Sequence, residues 1–131
     1  MLPVAGYDLP MPAATIHLAC LCAAWCRLCD DYAAVFAQVT GELAAPGVAL
    51  RCHWIDIEDE AELVGDFDVE TFPTIVIADA QGVRFAGPLT PQADTLRRLL
   101  RATLLEAAPD THWPAVAPQI AAFAQRLRAR P

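Results

Sequence analysis

The sequence predicts one α/β domain in which a mixed central sheet carries helices on both faces, with an extra helix at the C-terminus. The 131 residues suffice for one hydrophobic core. A hydrophobic fraction of 56% indicates a folded protein rather than a disordered one. The predicted elements run strand, helix, strand, short helix, two hairpin strands and helix. A strand–helix–strand unit followed by a hairpin is typical of a mixed sheet.

The chain divides into three predicted segments. Residues 1–14 are rich in proline, glycine and alanine and are expected to form an irregular lead-in. Residues 15–106 form the domain itself. Residues 107–131 comprise a proline-rich linker and a final helix, whose apolar stripe is Ile120, Phe123 and Leu127. We expect this stripe to pack on the domain, because an undocked stripe would be an exposed partner surface.

The first half of the domain contains two predicted strands and two predicted helices. Residues 15–22 are mostly apolar and suit a buried strand, and residues 48–57 alternate in the manner of a second strand. Residues 58–65 suit a short acidic helix. Between the strands, a longer helix ends at Ala45-Pro46-Gly47. Its apolar stripe follows the three- and four-residue spacing of a helix: Leu28, Tyr32, Val35, Phe36 and Val39.

The second half begins with a predicted hairpin. Residues 74–78 are β-branched and follow Pro73 directly, and residues 83–86 form the partner strand across a short turn. Another helix is predicted to open at Thr90-Pro91, where proline suits the first turn. Its apolar side consists of Leu96, Leu99, Leu100, Thr103 and Leu104.

Composition excludes several classes of function. A formal net charge of -7 argues against a nucleic-acid partner, because phosphates are neutralised by a basic surface. All nine basic residues are arginine, which excludes lysine nucleophiles and Schiff bases. No apolar run is long enough for a membrane span, and no signal peptide is evident, so we expect a cytoplasmic protein. The five cysteines are then more suited to chemistry than to structural bridges.

The pair Cys26 and Cys29 is the strongest candidate for that chemistry. The position of Cys26 between a buried strand and a helix places it at a helix N-terminus, where free N–H groups and the dipole favour a thiolate. Cys29 follows one turn later on the same face, within disulfide reach. We therefore expect Cys26 to be the attacking nucleophile and Cys29 the buried resolving thiol.

Two motifs resemble those of the thioredoxin family. The stretch Trp25-Cys26-Arg27-Leu28-Cys29 follows an apolar strand, and Thr71-Phe72-Pro73-Thr74 precedes a β-branched one. The resemblance spans roughly residues 15–105 and implies a thioredoxin-like fold. It also implies a thiol–disulfide oxidoreductase that reduces or exchanges disulfides in protein substrates.

The resemblance carries expectations about partners and contacts. Pro73 is expected to be cis, with an extended substrate strand pairing beside it. An external thiol reductant completes the cycle, no bound cofactor or metal is expected, and the chain is expected to act as a monomer. The expected substrate-binding residues are Trp25, Arg27, Leu28, Thr71, Phe72 and Pro73.

Several positions depart from the family pattern. Arg27-Leu28 stands where thioredoxin has Gly-Pro, and the added cation beside Cys26 is expected to make the disulfide more oxidising. The acidic residue that thioredoxins bury behind the dithiol aligns with Cys20, so the usual proton acceptor is missing. Asp56 is nearby in sequence but is not assumed to substitute. Glu70 is expected at the rim of the dithiol, where it would repel acidic partners.

The remaining cysteines and histidines are expected to be structural. Cys20 and Cys22 lie on one side of a strand and are interpreted as buried free thiols, as is Cys52 in the core. The three histidines lie far apart in the sequence and are expected to be structural or exposed: His17, His53 and His112.

Two other functions stay open from the sequence. The first is a thioredoxin-like binding or adaptor module in which the dithiol is vestigial or senses redox state. The second is a zinc or iron–sulfur site with four thiolate ligands. Its candidate ligands are Cys20, Cys22, Cys26 and Cys29.

Overall fold

A computed structural model describes residues 14–43, 48–108 and 110–130. The predicted lead-in therefore lies outside the described residues except for Ala14, and so does the predicted helix end at Ala45-Pro46-Gly47. The description covers all five cysteines and both family-like motifs.

The sheet has four strands in the order β2-β1-β3-β4. They are β1 (Ala14–Cys22), β2 (Val48–Asp56), β3 (Thr74–Ala78) and β4 (Val83–Pro88). β1 runs parallel to β2 and antiparallel to β3, and β3 and β4 form an antiparallel pair. The predicted mixed sheet is confirmed, with β1 and β3 in its interior and β2 and β4 at its edges.

Helices cover both faces of this sheet, as predicted. They are α1 (Arg27–Glu42), α2 (Ala61–Val64), α3 (Ala93–Leu100) and α4 (Pro118–Ala129), and a π-helical segment, Arg101–Leu105, continues α3. α1 and α3 pack on one face and α2 and α4 on the other. α3 begins two residues after the Thr90-Pro91 pair, behind the N-cap Gln92, and a turn at residues 57–60 shortens the predicted acidic helix to α2.

The C-terminal helix is part of the core. Phe123 and Leu127 are fully buried, and Ile120 packs beside them in part. Their partners include Leu21 and Val76 from the two interior strands. The stripe predicted for the final helix is thus docked on the domain and is not a free partner surface.

Cys52 is exposed, which corrects the expectation that it lies in the core. β2 is an edge strand, and α1 covers only part of the face on which Cys52 lies. The neighbouring Trp54 packs edge-on against Phe36, with ring centroids 5.7 Å apart, and still keeps 37% of its surface exposed. Residues at this edge are therefore only partly shielded from water.

His17 and His53 are in contact, although they lie far apart in the sequence. The parallel register sets Ala19 opposite His53, so the two histidines are diagonal neighbours on one face. The Nδ1 atom of His17 lies 3.1 Å from Nε2 of His53, and both side chains are buried. Nδ1 of His53 faces the Arg130 guanidinium at 3.4 Å. Because a guanidinium only donates, a neutral His53 carries its proton on Nε2 and donates it to His17.

This arrangement disfavours the charged form of both rings. Burial, followed by the nearby His17, Arg130 and Arg51 charges, lowers the pKa of His53 to about 4. Burial, Arg51 and Arg128 likewise lower the pKa of His17. Arg130 also forms an ion pair with Glu60, at 2.8 Å, through its other terminal nitrogen. This ion pair holds the guanidinium in place.

We predict a loss of stability in mild acid that depends on His53. The unfolded state takes up protons near pH 6.5 and the folded state only near pH 4, so stability is complete above pH 6.5 and falls between these values. The expected loss between pH 7 and pH 5 is about 1 to 2 kcal/mol. Urea unfolding followed by tryptophan fluorescence at both pH values measures it. His53→Gln should flatten the dependence, and the exposed His112→Gln should not; an equal slope in all three chains contradicts the assignment.

Arg126 joins α4 to the end of α2 at a position that requires glycine. Its guanidinium donates hydrogen bonds to the carbonyl oxygens of Leu63 at 2.7 Å and Val64 at 3.0 Å. Gly65 follows with φ 58° and ψ -131°, a conformation that side chains avoid. A Cβ atom here would also lie 2.9 Å from Cζ of Arg126.

We therefore predict that Gly65→Ala lowers the free energy of unfolding by about 1 to 3 kcal/mol, from backbone strain and displacement of Arg126. Urea unfolding gives the value. Gly82→Ala is the matched control, because nothing lies within 4 Å of a Cβ atom there. Equal stability of the two variants would contradict the role of Gly65.

Candidate functional site

Cys26 is the N-cap residue of α1. Its backbone is extended, with φ -90° and ψ 110°, and the helix begins at Arg27. Its own N–H donates to the Ala23 carbonyl at 3.0 Å, which closes the turn between β1 and α1, and its carbonyl accepts from Cys29 at 3.1 Å. The side chain is partly exposed and lies outside any disulfide. The structure thus places this thiol where the sequence predicted, at the N-terminal end of a helix.

Cys29 is bridged to Cys22 and not to Cys26. The Cα atoms of the bridged pair are 5.9 Å apart, and both residues are 2% exposed. The interpretation of Cys22 as a free core thiol is therefore wrong. Cys22 ends β1 on the face that α1 covers, and Cys29 lies in the first turn of α1 on the side that faces the sheet. A turn of four residues returns the chain over itself and brings the two sulfur atoms together.

The pattern held a signal for this contact. Cys20 and Cys22 share the face of β1 that packs against α1, and Cys29 heads the apolar stripe of that helix. Any cysteine at the C-terminal end of this strand face must lie near the first buried position of the helix. The spacing of Cys26 and Cys29 does not predict the contact between Cys22 and Cys29, because it concerns residues of the helix alone.

Behind the bridge the site is apolar. Cys20 is fully buried and free, with its sulfur 3.8 Å from that of Cys22, and burial raises the pKa of Cys20 to about 12. Burial, followed by Cys20, also raises the pKa of Tyr32 to about 12. Within the described residues, the hydroxyl of Tyr32 has no hydrogen-bond partner. The thiol of Cys20 is therefore neutral.

The carboxylate of Asp56 is engaged by backbone N–H groups. Its Oδ1 accepts hydrogen bonds from Glu58 at 2.8 Å and Asp59 at 3.1 Å. These donors in the order Asp59, Glu58 and then Ala24 lower the pKa of Asp56. Asp56 pairs with Cys22 in the strand register, so it ties the turn before Cys26 to the end of β2. Its role in the structure is to hold that turn.

A second loop forms the other side of the site. The Phe72–Pro73 peptide bond is cis, and Thr74 pairs with Leu21 at the start of β3, which brings this loop to the end of the sheet that carries the dithiol. The rings of Trp25 and Phe72 pack edge to face, with centroids 5.6 Å apart.

The expected substrate-binding residues lie around this edge with different exposures. Trp25 is 67% exposed and Leu28 42% exposed, which is unusual for large apolar side chains. Arg27 and Thr71 are exposed, Phe72 is partly buried and Pro73 is buried. Glu70 is also exposed on the loop before Thr71. We call the set Trp25, Leu28 and Phe72 the apolar rim.

The geometry does not assemble the four-thiolate metal site. Among residues 14–43, 48–108 and 110–130, no three side chains of histidine, cysteine, aspartate or glutamate converge as ligands. The bridge occupies two of the four candidate thiols, Cys22 and Cys29.

Within the same ranges, no helix combines the length and the apolar character that crossing a bilayer requires.

A cavity of about 560 Å³ lies away from the dithiol. Its lining includes Asp79, Arg84, Trp113 and Arg128, from the β3–β4 turn, the linker and α4. Ala78 pairs with His17, whereas Thr74 pairs with Leu21, so this turn is at the opposite end of the sheet from Cys26. The cavity therefore contributes nothing to the cysteine site.

Solved structures share this fold at low sequence identity. The germline-specific thioredoxin Deadhead of Drosophila melanogaster is 16% identical, with 70% of this chain and 83% of that chain covered and a TM-score of 0.58. A mutant thioredoxin from Halobacterium salinarum is 22% identical, with 72% and 78% covered and a TM-score of 0.55. Human ERp44 is 13% identical, with 69% and 28% covered and a TM-score of 0.57.

Sequence similarity identifies the family of the chain as well as its fold. No curated protein matches the chain in sequence. The model of the thioredoxin family, however, matches residues 11–101, from the start of the sheet to the end of α3. That match covers well over half of the chain, and the mixed sheet and its helices agree with it, so this chain belongs to the thioredoxin family.

Proposed function

We propose that the chain is a thiol–disulfide oxidoreductase that reduces or exchanges disulfides in protein substrates. Cys26 attacks one sulfur of a substrate disulfide, a mixed disulfide forms, and the other substrate sulfur leaves as a thiolate. Cys29 then attacks the sulfur of Cys26 in this mixed disulfide. The reduced substrate leaves as a thiolate, and the chain is left with a Cys26–Cys29 disulfide. An external thiol reductant returns the chain to its starting state.

The position of Cys26 carries this proposal. Among the five cysteines, all of which the structure describes, it is the one that combines partial exposure with a position at a helix N-terminus, where a substrate disulfide can reach it. Cys29 is buried one turn later, as a resolving thiol requires, because it must not compete with Cys26 for the substrate. Family membership supports redox chemistry of this general kind.

The apolar rim supports a protein substrate over a small one. Trp25 and Leu28 expose apolar surface beside Cys26, and Phe72 extends that surface to the proline loop. Exposed aromatic and aliphatic groups around a reactive centre are typical of a surface that binds another protein. We propose that an extended substrate segment lies along residues 71–73, and that exposed Glu70 disfavours acidic segments.

The proposal includes the setting in which the chain acts. We propose that the chain works as a monomer in the cytoplasm, without a bound cofactor, and that an external thiol reductant reaches it through the partly exposed Cys26. A cytosolic reductant pool keeps such thiols reduced between turnovers.

One observation favours the adaptor module as a second candidate. Cys29 is bridged to Cys22, which leaves Cys26 without its expected partner. If that bridge were permanent, the chain would hold a structural disulfide and a single surface thiol. It would then bind partners through the apolar rim without turning over disulfides.

We predict that Cys26→Ser lowers the rate of disulfide reduction to that of the reductant alone, because serine is not a nucleophile for sulfur under these conditions. The assay uses a protein disulfide substrate, with dithiothreitol as reductant. Cys29→Ser should accumulate the mixed disulfide with substrate, visible by mass spectrometry. Cys52→Ser is the matched control, because it removes an exposed thiol that lies opposite Leu18, four residues along β1 from Cys22, and should leave the rate unchanged.

Retention of activity by Cys26→Ser would rule out the oxidoreductase. An inactive native chain, with Cys26 no more reactive to alkylation than a free peptide thiol, would favour the adaptor.

A further inference from the structure

We propose that Cys22 is a third redox-active thiol, which takes Cys29 over from Cys26, so that the oxidised chain comes to rest as a buried Cys22–Cys29 disulfide with Cys26 free. This inference rests on the proposed function, because it describes what happens after Cys29 has released a substrate. It adds a catalytic residue that lies outside the Cys26–Cys29 motif.

The geometry favours this second pairing. The Cα atoms of Cys22 and Cys29 are 5.9 Å apart, inside the usual range for a disulfide. Cys22 ends β1, whose ladder fixes its backbone against Asp56, and its carbonyl accepts a hydrogen bond from Ile57 at 2.9 Å. Cys29 lies in the first turn of α1, so both residues are held by regular structure. The bridge therefore needs no rearrangement of the chain.

The exchange balances without any further reactant. Substrate turnover leaves a Cys26–Cys29 disulfide. Cys22 attacks the sulfur of Cys29; the Cys22–Cys29 bond forms as the Cys26–Cys29 bond breaks, and Cys26 leaves as a thiolate that takes up the proton lost by Cys22. One disulfide and one thiol are present before and after the step. The disulfide therefore changes its position, and the chain neither gains nor loses electrons.

Cys20 is unsuited to the same role although it lies close by. Its sulfur is 3.8 Å from that of Cys22, but Cys20 lies two residues earlier in β1 and therefore further from the turn that leads to Cys26. Its thiol is free, whereas Cys29 pairs with Cys22. Cys20 is therefore a matched control for Cys22, since both are cysteines on the same strand face in the same core.

The relay changes what the oxidised chain presents to its surroundings. Cys22 and Cys29 are each 2% exposed, so a bulk reductant does not reach their bridge directly. Cys26, which is partly exposed, keeps a free thiol in that state. Reduction then proceeds in reverse, when Cys26 attacks Cys29 and brings the disulfide back to the surface.

Disulfide mapping of the native full-length chain tests the proposal directly. The chain is oxidised with glutathione disulfide, quenched in acid, alkylated with N-ethylmaleimide under denaturing conditions and digested with trypsin and chymotrypsin. Cleavage after Leu21, Trp25 and Arg27 separates the four cysteines of this region into different peptides. We expect the peptide 22–25 to be linked to the peptide that carries Cys29, with the alkyl group on Cys26. A link between Cys26 and Cys29, with Cys22 alkylated, would overturn the proposal.

Two variants sharpen the assignment. In oxidised Cys22→Ala, Cys26 should change from fully alkylated to blocked, because Cys29 has no other partner. In oxidised Cys20→Ala, Cys26 should be alkylated as in the native chain. A free Cys26 in both variants would show that Cys22 does not control the pairing. A Cys22–Cys29 bridge that dithiothreitol cannot open in the folded native chain would also overturn the relay, since it would be structural.

These outcomes separate the inference from the function beneath it. An active chain in which Cys26→Ser is inactive, but whose oxidised form holds Cys26–Cys29, refutes the relay and leaves the oxidoreductase intact. A chain in which Cys26→Ser stays active refutes the oxidoreductase, whichever bridge is mapped.

Discussion

The burial of β1 on both faces is the constraint on which the rest of the molecule depends. The strand lies between β2 and β3, and its alternating side chains enter two separate cores: Leu18, Cys20 and Cys22 on one side, Ala19 and Leu21 on the other. Because neither face meets solvent, the point at which the strand ends is fixed. The turn to α1 begins there, and the positions of Cys26 and Cys29 follow from it. The position of the cysteine site is therefore determined by the packing of the whole of β1, which involves many more residues than the site itself.

How far the sequence predicts this structure depends on the range of the interaction. The order of the elements followed from local periodicity, and Cys26 at a helix start followed from the boundary between two such periods. Contacts between residues on different strands depend on the register of those strands, and no local sequence pattern predicts that register. The pairing of His17 with His53 depends on Ala19 lying opposite His53 in a parallel ladder. The exposure of Cys52 likewise depends on β2 being an edge strand.

The cysteine site shows the same limit at a smaller scale. The motif spacing placed Cys26 and Cys29 on one helix, and the strand alternation placed Cys20 and Cys22 on one face. Each pattern was interpreted within its own element, so the bridge between the two elements was missed. The family motif drew attention to the helix pair, whereas the strand pair has no counterpart in it. Where a chain departs from its family, the departing residues are best compared with the motif in space as well as in sequence.

The docking of α4 has a consequence for the order in which the molecule is made. Arg126 binds carbonyls at the end of α2, and Arg130 reaches both His53 and Glu60, so the last turn of the chain closes contacts that span most of its length. Such contacts have a large separation in sequence and form slowly. During synthesis, the α1 side of the sheet can pack while the opposite side waits for residues still inside the ribosome. The face that carries Leu21, Ile55 and Val76 is then the last to leave water, and a nascent chain needs protection there until α4 has packed on it.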